Sequence, residues 1–467
     1  MIKKKNYGIH YYFFFISITF LIYNFYNDSG YWFDEWSTLL SSDPRVPIQK
    51  IYDRIDGIET VGELTPKIYF LILRFFFLIF GYTAENGRIF SVFFFILLIF
   101  IFYRLLELFF NKQKSLFIAG ILSVNPFMLW MANETRVDTF NIFFCILNIY
   151  FFFVSIFKKK LKYNLLYLIS CVWMLSVHPL TILIVLSQST YIFFFKKKNY
   201  LIYILLSLTI YLLLNYSYVI KGLSGALTPG HTKLQFNFFL SYFFNTFFGN
   251  KYFGGFYLLL LLFLFLLNFK KIFKNEIILY SIITIFLSYS AIVLGYFFSF
   301  HIAAPRYIEF IVPLIILVLM YNIDEVVIKF KRKLLFISKL LIFIIIIINL
   351  FITNDNKPVK KPHTKAALEI IKLNNIKYIY INSNQYFSTY LKSINYFQLQ
   401  NFFLLENETT SHKKILKFAF LCLKEAKHNS VKRDIIENAQ CRKEFDNFKS
   451  YKIIDLADYK IVLYKSD

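Results

Sequence analysis

Long apolar stretches separated by short clusters of lysine constrain the fold of this chain more than any other feature. Hydrophobic residues make up 58% of its 467 residues, a share that soluble domains do not reach. The basic clusters are Lys3–Lys5, Lys112 with Lys114, Lys158–Lys162, Lys196–Lys198, Lys270–Lys274 and Lys329–Lys333. Because cytoplasmic loops of membrane proteins are enriched in Lys and Arg, this pattern predicts a multi-pass helical membrane protein.

The lysine clusters also predict how the chain crosses the membrane. If every cluster faces the cytoplasm, the apolar runs between clusters must cross in pairs. About eleven spans of near-standard length satisfy this condition. They are residues 9–27, 88–110, 115–131, 137–157, 163–178, 179–195, 199–218, 253–269, 276–300, 305–328 and 334–352. We therefore expect a protein of the cytoplasmic (inner) membrane with its N-terminus inside.

One further apolar run, residues 66–82, does not fit this count. The run is short and carries Arg74 at its middle, and counting it as a span would reverse the side of every later lysine cluster. It is therefore predicted to be a helix that lies at the outer interface of the membrane. The alternative is an ordinary span in which Arg74 faces the other helices.

The remainder of the chain divides into outer loops and a C-terminal region. Residues 28–65 and 219–252 form the outer loops of a predicted membrane domain, residues 1–353. Residues 354–467 are more polar and predict a small α/β domain outside the membrane, in the periplasm. Its predicted helices are residues 366–376, 388–397 and 431–445, and its predicted strands are residues 377–383, 417–423 and 458–464.

The four cysteines have two different settings. Cys145 and Cys171 lie in apolar helices, where cysteine usually packs as a small hydrophobic residue. Cys422 and Cys441 lie in the polar C-terminal region. Outside the cytoplasm they either form a disulfide or remain two thiols, and the sequence leaves both open.

An acidic pair, Asp34 and Glu35, follows the first apolar run. The pair stands between Trp32 and Trp36, so it is placed close to the end of a predicted membrane helix. A carboxylate at an apolar boundary has a raised proton affinity, which suits it to act as a base. A solvated loop is the alternative interpretation.

Other charged and polar residues collect at the predicted outer ends of the helices. Arg136 lies in a tight turn and Asp138 begins the returning helix, and His178 lies at another helix end. Arg306 and Tyr307 begin a late helix, where a planar guanidinium would suit a phosphate group. Each residue also has an ordinary structural explanation, as a helix cap, an interfacial anchor or a packing residue.

In their order along the chain, these motifs resemble the family 39 glycosyltransferases of the C-type fold. That group includes protein O-mannosyltransferases and lipid A aminoarabinose transferases. The matching features are the Asp34-Glu35 pair, a segment running from Pro66 to Arg88, the turn ETRVD at 134–138 and RYIEFIVP at 306–313. The resemblance spans roughly residues 9–330. Many members carry His-Pro or Lys-Pro where this chain has Thr65-Pro66-Lys67, which makes Lys67 the nearest candidate for a phosphate contact.

The resemblance implies an enzyme that transfers a sugar from a polyprenyl-phosphate donor to an acceptor hydroxyl, with inversion, on the outer face of the membrane. It implies Asp34 as the base, with Glu35 orienting the acceptor or holding the loop. The residues it implies for substrate binding are Lys67, Arg88, Arg136, Asp138, His178, Arg306 and Tyr307.

We expect no metal and no other cofactor, because cationic side chains can stabilise a phosphate leaving group. We expect membrane lipid and the lipid-linked donor as partners. Nucleic acid is not expected, because the net charge of +24 lies in the short clusters. A polytopic transporter or lipid flippase is the alternative function. Such a protein would have ionisable residues near the middle of the membrane and internal repeats, and the sequence has its polar residues at one face.

Overall fold

A computed structural model gives the fold over most of the membrane part and over five strands of the C-terminal part. The described residues are 17–19, 21, 33–56, 66–195, 197–226, 246–248, 251–272, 274–297, 305–328, 348, 370–376, 378–381, 403–405, 417–423, 448–455 and 459–466. The description covers the backbone but not the side chains of Asp34 and Arg306. Most residues of the predicted spans 9–27 and 334–352 lie outside it.

The chain divides into two units. The helical unit comprises Met1–Tyr23, Leu64–Tyr69 and Arg88–Asn356. The mixed unit comprises Asn24–Glu63, Phe70–Gly87 and Lys357–Asp467. The division into domains 1–353 and 354–467 stays a prediction.

Helices account for nearly all of the described residues before residue 330. They are α1 (Phe33–Leu40), α2 (Ile48–Ile55), α3 (Ile68–Phe80), α4 (Ala84–Leu106), α5 (Lys112–Ser123), α6 (Pro126–Ala132), α7 (Asp138–Lys158), α8 (Leu161–Val177), α9 (Ile182–Phe194), α10 (Leu201–Ala226), α11 (Lys251–Ile272), α12 (Glu276–Phe297) and α13 (Val312–Ile328). Short 3₁₀ helices precede α9, α10 and α13, at Pro179–Thr181, Lys198–Tyr200 and Pro305–Ile311.

Several of these helices are long and apolar enough to cross a membrane. Four pass this test among the described residues: α4, α7, the stretch Lys198–Tyr216 and the stretch Glu276–Gly295. A fifth span results if α5 and α6 are counted together. The predicted multi-pass helical membrane protein is therefore confirmed, whereas the number of about eleven spans stays a prediction.

The predicted span 115–131 is not one straight helix. It is broken between α5 and α6, whose axes differ by 65°. At the break, the side chain of Asn125 accepts a hydrogen bond from the backbone N–H of Met128 at 3.0 Å, and Pro126 takes the first position of α6. Asn at the cap and Pro at the first position both favour the start of a new helix, which explains the break.

Uncharged polar side chains link α7, α8 and α9 at their middle. The Gln188 amide donates to the Asn148 side-chain oxygen at 2.7 Å and accepts from the Tyr167 hydroxyl at 2.7 Å. The Asn148 amide donates to the Ser170 hydroxyl at 3.2 Å. Hydrogen bonds of this kind replace water where helices pack within a membrane. The groups at this depth are therefore neutral in all three helices.

The C-terminal strands form one mixed sheet. They are β1 (Tyr378–Ile381), β2 (Phe403–Leu405), β3 (Lys417–Leu423), β4 (Phe448–Asp455) and β5 (Tyr459–Ser466), arranged in the order β2-β1-β3-β5-β4. Strand β1 is parallel to β2 and β3, and β5 is antiparallel to β3 and β4.

The sheet confirms three predicted strands and adds two. Strands β1, β3 and β5 fall at the predicted positions, whereas β2 and β4 were not predicted from the sequence. Of the predicted helix 366–376, residues 370–373 are helical. The predicted helices 388–397 and 431–445 lie outside the described residues, as do Cys441 and the side chain of Cys422, so the disulfide stays open.

Candidate active site

The acidic pair lies in a folded segment. Residues 33–56, called here the acidic-pair segment, contain α1 and α2. The side chain of Glu35 has 0% of its surface exposed. A solvated loop is therefore excluded for Glu35. Asp34 lies in the first turn of α1, and its side chain is outside the description.

Arg74 holds the turn that joins α1 to α2. Its guanidinium donates hydrogen bonds to the main-chain carbonyls of Asp43, Pro44 and Val46, the last two at 3.2 and 2.8 Å. Helix α3, which carries Arg74, has 13 residues and a rise of about 20 Å, short of the ~30 Å of a bilayer core. The position of this helix at the outer interface of the membrane stays a prediction.

Two further side chains bind the last turn of α1. Arg54 donates to the carbonyl of Leu40 at 2.7 Å, and the Tyr82 hydroxyl donates to the carbonyl of Leu39 at 2.9 Å. Carbonyls at the C-terminal end of a helix lack partners within the helix and carry partial negative charge, so cationic donors stabilise them. These bonds fix one end of α1 and thereby restrict the position of the acidic pair at its other end.

In the helical unit, charged side chains gather at the start of α7. Asp138 is the first residue of α7 and only 3% of its surface is exposed. The Arg136 Nε atom lies 4.0 Å from the Asp138 Oδ2 atom. The N-terminus of a helix carries partial positive charge, so the position of Asp138 offsets part of the cost of burying its side chain.

His178 and Tyr307 complete this group, and Arg136, Asp138, His178 and Tyr307 are called the α7 cluster below. The His178 and Tyr307 rings are nearly parallel, with centroids 6.1 Å apart and an interplanar angle of 29°. His178 lies between α8 and the next 3₁₀ helix, where its Nδ1 atom accepts from the Leu180 N–H at 3.3 Å.

The electrostatic setting of His178 determines its charge. Burial, together with the nearby charge of Arg136, lowers the pKa of His178 to about 4. The ring is therefore neutral near pH 7. Because Nδ1 is the acceptor, the proton is assigned to Nε2, which can donate a hydrogen bond to a substrate oxygen.

Lys67 and Arg88 lie on elements that pack against the same end of α7. The Tyr69 and Phe90 rings lie 5.5 and 5.9 Å from the Phe140 ring, centroid to centroid. Lys67 precedes Tyr69 by two residues and is half-buried, and Arg88 precedes Phe90 by two residues and is buried.

Sequence reasoning missed two members of this site, Asn141 and Glu309. Both are buried, and the Asn141 Nδ2 atom donates to the Glu309 Oε1 atom at 2.7 Å. Asn141 lies three residues after Asp138, and Glu309 lies two residues after Tyr307. The sequence does mark them, because each is a polar residue within an apolar run, Asn141 in DTFNIFF and Glu309 in RYIEFIVP.

The structure thus brings four of the predicted binding residues together and places two more close by. Arg306 is the second residue of the 3₁₀ helix Pro305–Ile311, directly before Tyr307, and its side chain is outside the description. Asp34 and Glu35 belong to the mixed unit. Within the described ranges, no three His, Cys, Asp or Glu side chains form a group that could hold a metal ion. The absence of a metal stays a prediction.

Comparison with known proteins gives a family match and structural neighbours that include two structures of ArnT. No curated protein matches the sequence. The structure of ArnT from Cupriavidus metallidurans bound to undecaprenyl phosphate is 10% identical to this chain, with a TM-score of 0.47. The apo structure of ArnT is 11% identical, with a TM-score of 0.44. Each alignment covers 68% of this chain and 60% of the ArnT chain.

The family match falls on the part of the chain that carries most of the site. Residues 65–220, one third of the chain, match the model of the dolichyl-phosphate-mannose-protein mannosyltransferase family. The matched range includes Lys67, Arg88, Arg136, Asp138 and His178. The resemblance seen in the sequence motifs is therefore confirmed over these residues.

Proposed function

We propose that this chain is a membrane glycosyltransferase that moves a sugar from a polyprenyl-phosphate donor to a hydroxyl group of a glycan, lipid or protein. The observation that carries the proposal is the α7 cluster, a group of buried and half-buried charged and aromatic side chains at one end of an apolar helical unit. Three of its four residues fall in the range that matches the mannosyltransferase family.

The chemistry of the cluster suits a lipid-linked donor. Ionisable side chains are costly near a bilayer, so their collection at one end of the helices favours a reaction there. A polyprenyl-phosphate sugar is itself a lipid, and its reactive bond lies where lipid meets water. Arginine provides paired donors for phosphate oxygens, and a neutral histidine provides one more donor.

The proposed reaction is an inverting substitution. Asp34 accepts the proton of the acceptor hydroxyl, and the acceptor oxygen attacks the anomeric carbon. The bond from that carbon to the phosphate oxygen breaks, and the polyprenyl phosphate leaves with the electron pair. Arg306 and Lys67 stabilise the charge that develops on the phosphate.

The remaining residues position the substrates. Asp138 holds the sugar or the acceptor, with Arg88, Arg136, His178 and Tyr307 around it. Glu35 orients the acceptor or holds the acidic-pair segment, and its complete burial favours the second role. Cations on the protein serve the leaving group without a metal ion.

The orientation is part of the proposal. The site faces the outside of the cytoplasmic membrane, and residues 354–467 lie on the same side. A reporter enzyme that is active only outside the cytoplasm should be active when fused after residue 467. Activity of a reporter that works only inside the cytoplasm would contradict both the topology and the site.

Mass spectrometry of the cell surface tests the reaction. Surface glycans, lipids and proteins are compared between cells with the gene, cells without it, and cells with the Asp34→Asn chain. We expect a mass difference of one sugar that is lost in the last two, whereas three identical profiles would contradict the proposal. Membranes supplied with a labelled polyprenyl-phosphate sugar then separate transfer of the label from its uptake into sealed vesicles, the result expected of a transporter.

A further inference from the structure

One hydrogen bond joins the two elements that carry most of the candidate binding residues. Asn141 lies in the first turn of α7, which begins at Asp138. Glu309 lies in the 3₁₀ helix Pro305–Ile311, which also carries Arg306 and Tyr307. The Asn141 Nδ2 atom donates to the Glu309 Oε1 atom at 2.7 Å, across 168 residues of sequence.

Both partners of this bond are removed from solvent. The exposed fraction of Glu309 is 1%, and that of Asn141 is 0%. A buried carboxylate requires hydrogen bonds to offset its lost hydration, and a bond to an ionised acceptor is shorter and stronger than a neutral one. An apolar side chain at position 309 would avoid this requirement. The carboxylate therefore indicates a need for directed bonding at this point.

The backbone next to Glu309 is irregular. The 3₁₀ helix departs from helical geometry at Ile308, where φ is −124° and ψ is 24°. Tyr307, stacked on His178, lies before this break, and Glu309 lies after it. A regular helix therefore does not fix the position of Tyr307 relative to α7. The bond from Asn141 holds Glu309 directly after this break, and so fixes the point against α7 from which Tyr307 departs. Asn141 shares a helix face with Asp138 because the two are three residues apart.

We propose that Glu309 is a positioning residue: through Asn141 it holds the Arg306–Tyr307 element at the separation from Asp138 that the donor phosphate and sugar require. Glu309 acts on the substrate only through these neighbours. The inference rests on the proposed function, and it names the contact that sets the geometry of that site.

Exchanging the two partners tests this role. Asn141→Asp places two carboxylates face to face, and Glu309→Gln replaces the charge-assisted bond with a neutral one. The double variant carries Asp at 141 and Gln at 309, which restores a carboxylate–amide bond with the donor reversed. The measurement is the Kd of the full-length protein in lipid nanodiscs for undecaprenyl phosphate, with the thermal midpoint of each variant recorded in parallel.

We expect Asn141→Asp to weaken binding by about tenfold or more, because the lost bond involves a buried charge. Glu309→Gln should weaken binding less, and the double variant should recover most of the wild-type affinity. If Asn141→Asp does not accumulate as folded protein, Asn141→Leu removes the bond without introducing repulsion, and it should show the same weakened binding.

A matched control comes from Asn164, whose amide donates to the Tyr203 hydroxyl at 3.0 Å in the first turn of α8. Asn164→Asp makes the same chemical change at a lysine-rich end of a helix, and the Kd should be unchanged. A purely structural role for Glu309 would lower the thermal midpoint and leave the Kd of the folded protein unaltered.

Three results would overturn the inference. They are wild-type affinity in Asn141→Asp, a double variant no better than Asn141→Asp, and a loss in Glu309→Gln as large as in Asn141→Asp without rescue. The third result would mean that the Glu309 charge acts on the substrate itself. If the wild-type protein fails to bind undecaprenyl phosphate, the proposed function falls along with the inference, whereas binding without the exchange pattern removes the inference alone.

Discussion

Two arginines that hold the acidic-pair segment, Arg54 and Arg74, have a different kind of partner from Arg136 of the α7 cluster. Arg54 and Arg74 donate to main-chain carbonyls at the end of α1 and in the turn after it. Arg136 instead faces the side chain of Asp138, at 4.0 Å, and its charge acts on His178. The first set binds the backbone of its own unit, and the second binds groups that can themselves take part in chemistry.

The difference separates arginines that hold the backbone from an arginine that can contact substrate. A carbonyl partner is fixed by the fold, so a guanidinium bound to several of them cannot turn towards a substrate without undoing the turn it holds. A side-chain partner can rotate, so the guanidinium bound to it can also donate to an incoming phosphate or hydroxyl. We therefore expect substitutions of the first set to affect stability most, and substitutions in the second set to affect binding and pH dependence.

The largest effect should come from the one residue of the acidic-pair segment to which we assign chemistry. Asp34→Asn removes the basic oxygen, and loss of a general base typically lowers the rate by about 10²–10⁴-fold. Glu35→Gln should be milder. Transferred sugar is measured by mass spectrometry and normalised to the amount of protein in the membrane. Full activity in both variants would show that neither carboxyl group takes part in the reaction and that the acidic-pair segment has a structural role.

Arg74→Met should lower stability with the next largest effect. Three carbonyls lose a charged donor, which should reduce the free energy of unfolding by about 2–4 kcal/mol. The thermal midpoint in detergent measures the change. Arg104→Met is the control, because Arg104 binds Glu107 on the surface with 49% of its side chain exposed, and its loss should change stability by less than about 1 kcal/mol. Equal effects of the two substitutions would remove the special role of Arg74.

The lowered pKa of His178 should make the free energy of unfolding decrease in mild acid. Its folded-state pKa of about 4 lies below the ordinary value of 6.5, so the unfolded chain binds a proton in this range that the folded chain does not. The contribution of His178 to the free energy of unfolding is therefore complete well above pH 6.5 and should decrease by about 2 kcal/mol on going to about pH 5. In His178→Asn the side-chain oxygen can still accept from Leu180, and this part of the pH slope should disappear from thermal midpoints. An unchanged slope would show that His178 is not buried beside Arg136.

The smallest of these effects should come from Arg306→Lys. The charge remains but the paired donors are lost, so affinity for undecaprenyl phosphate should fall by about tenfold. Arg306→Ala should lose more. Wild-type affinity in Arg306→Ala would place Arg306 with Arg54 and Arg74 among the supporting residues.

The sequence predicted single helices better than it predicted their partners. The run 137–157 became α7 at Asp138–Lys158, and 163–178 became α8 at Leu161–Val177, because an apolar run in lipid must satisfy its own backbone hydrogen bonds. The predicted span 115–131 is broken before Pro126, although the Asn-Pro sequence at 125–126 is typical of a helix start. By contrast, the contacts of Arg74 and Glu309 reach segments 28–31 and 168 residues away in sequence, and periodicity gives a helix face but not the partner on it.

The position of β5 has a consequence for how the C-terminal sheet is made. This strand lies between β3 and β4, although both precede it in the chain, and Ile461, Val462 and Leu463 at its centre are buried. During synthesis, the edges of β3 and β4 that pair with β5 have no native partner until residues 459–466 have been made. An exposed strand edge is a template for aggregation, so the sheet is open to wrong strand pairing until β5 has been made.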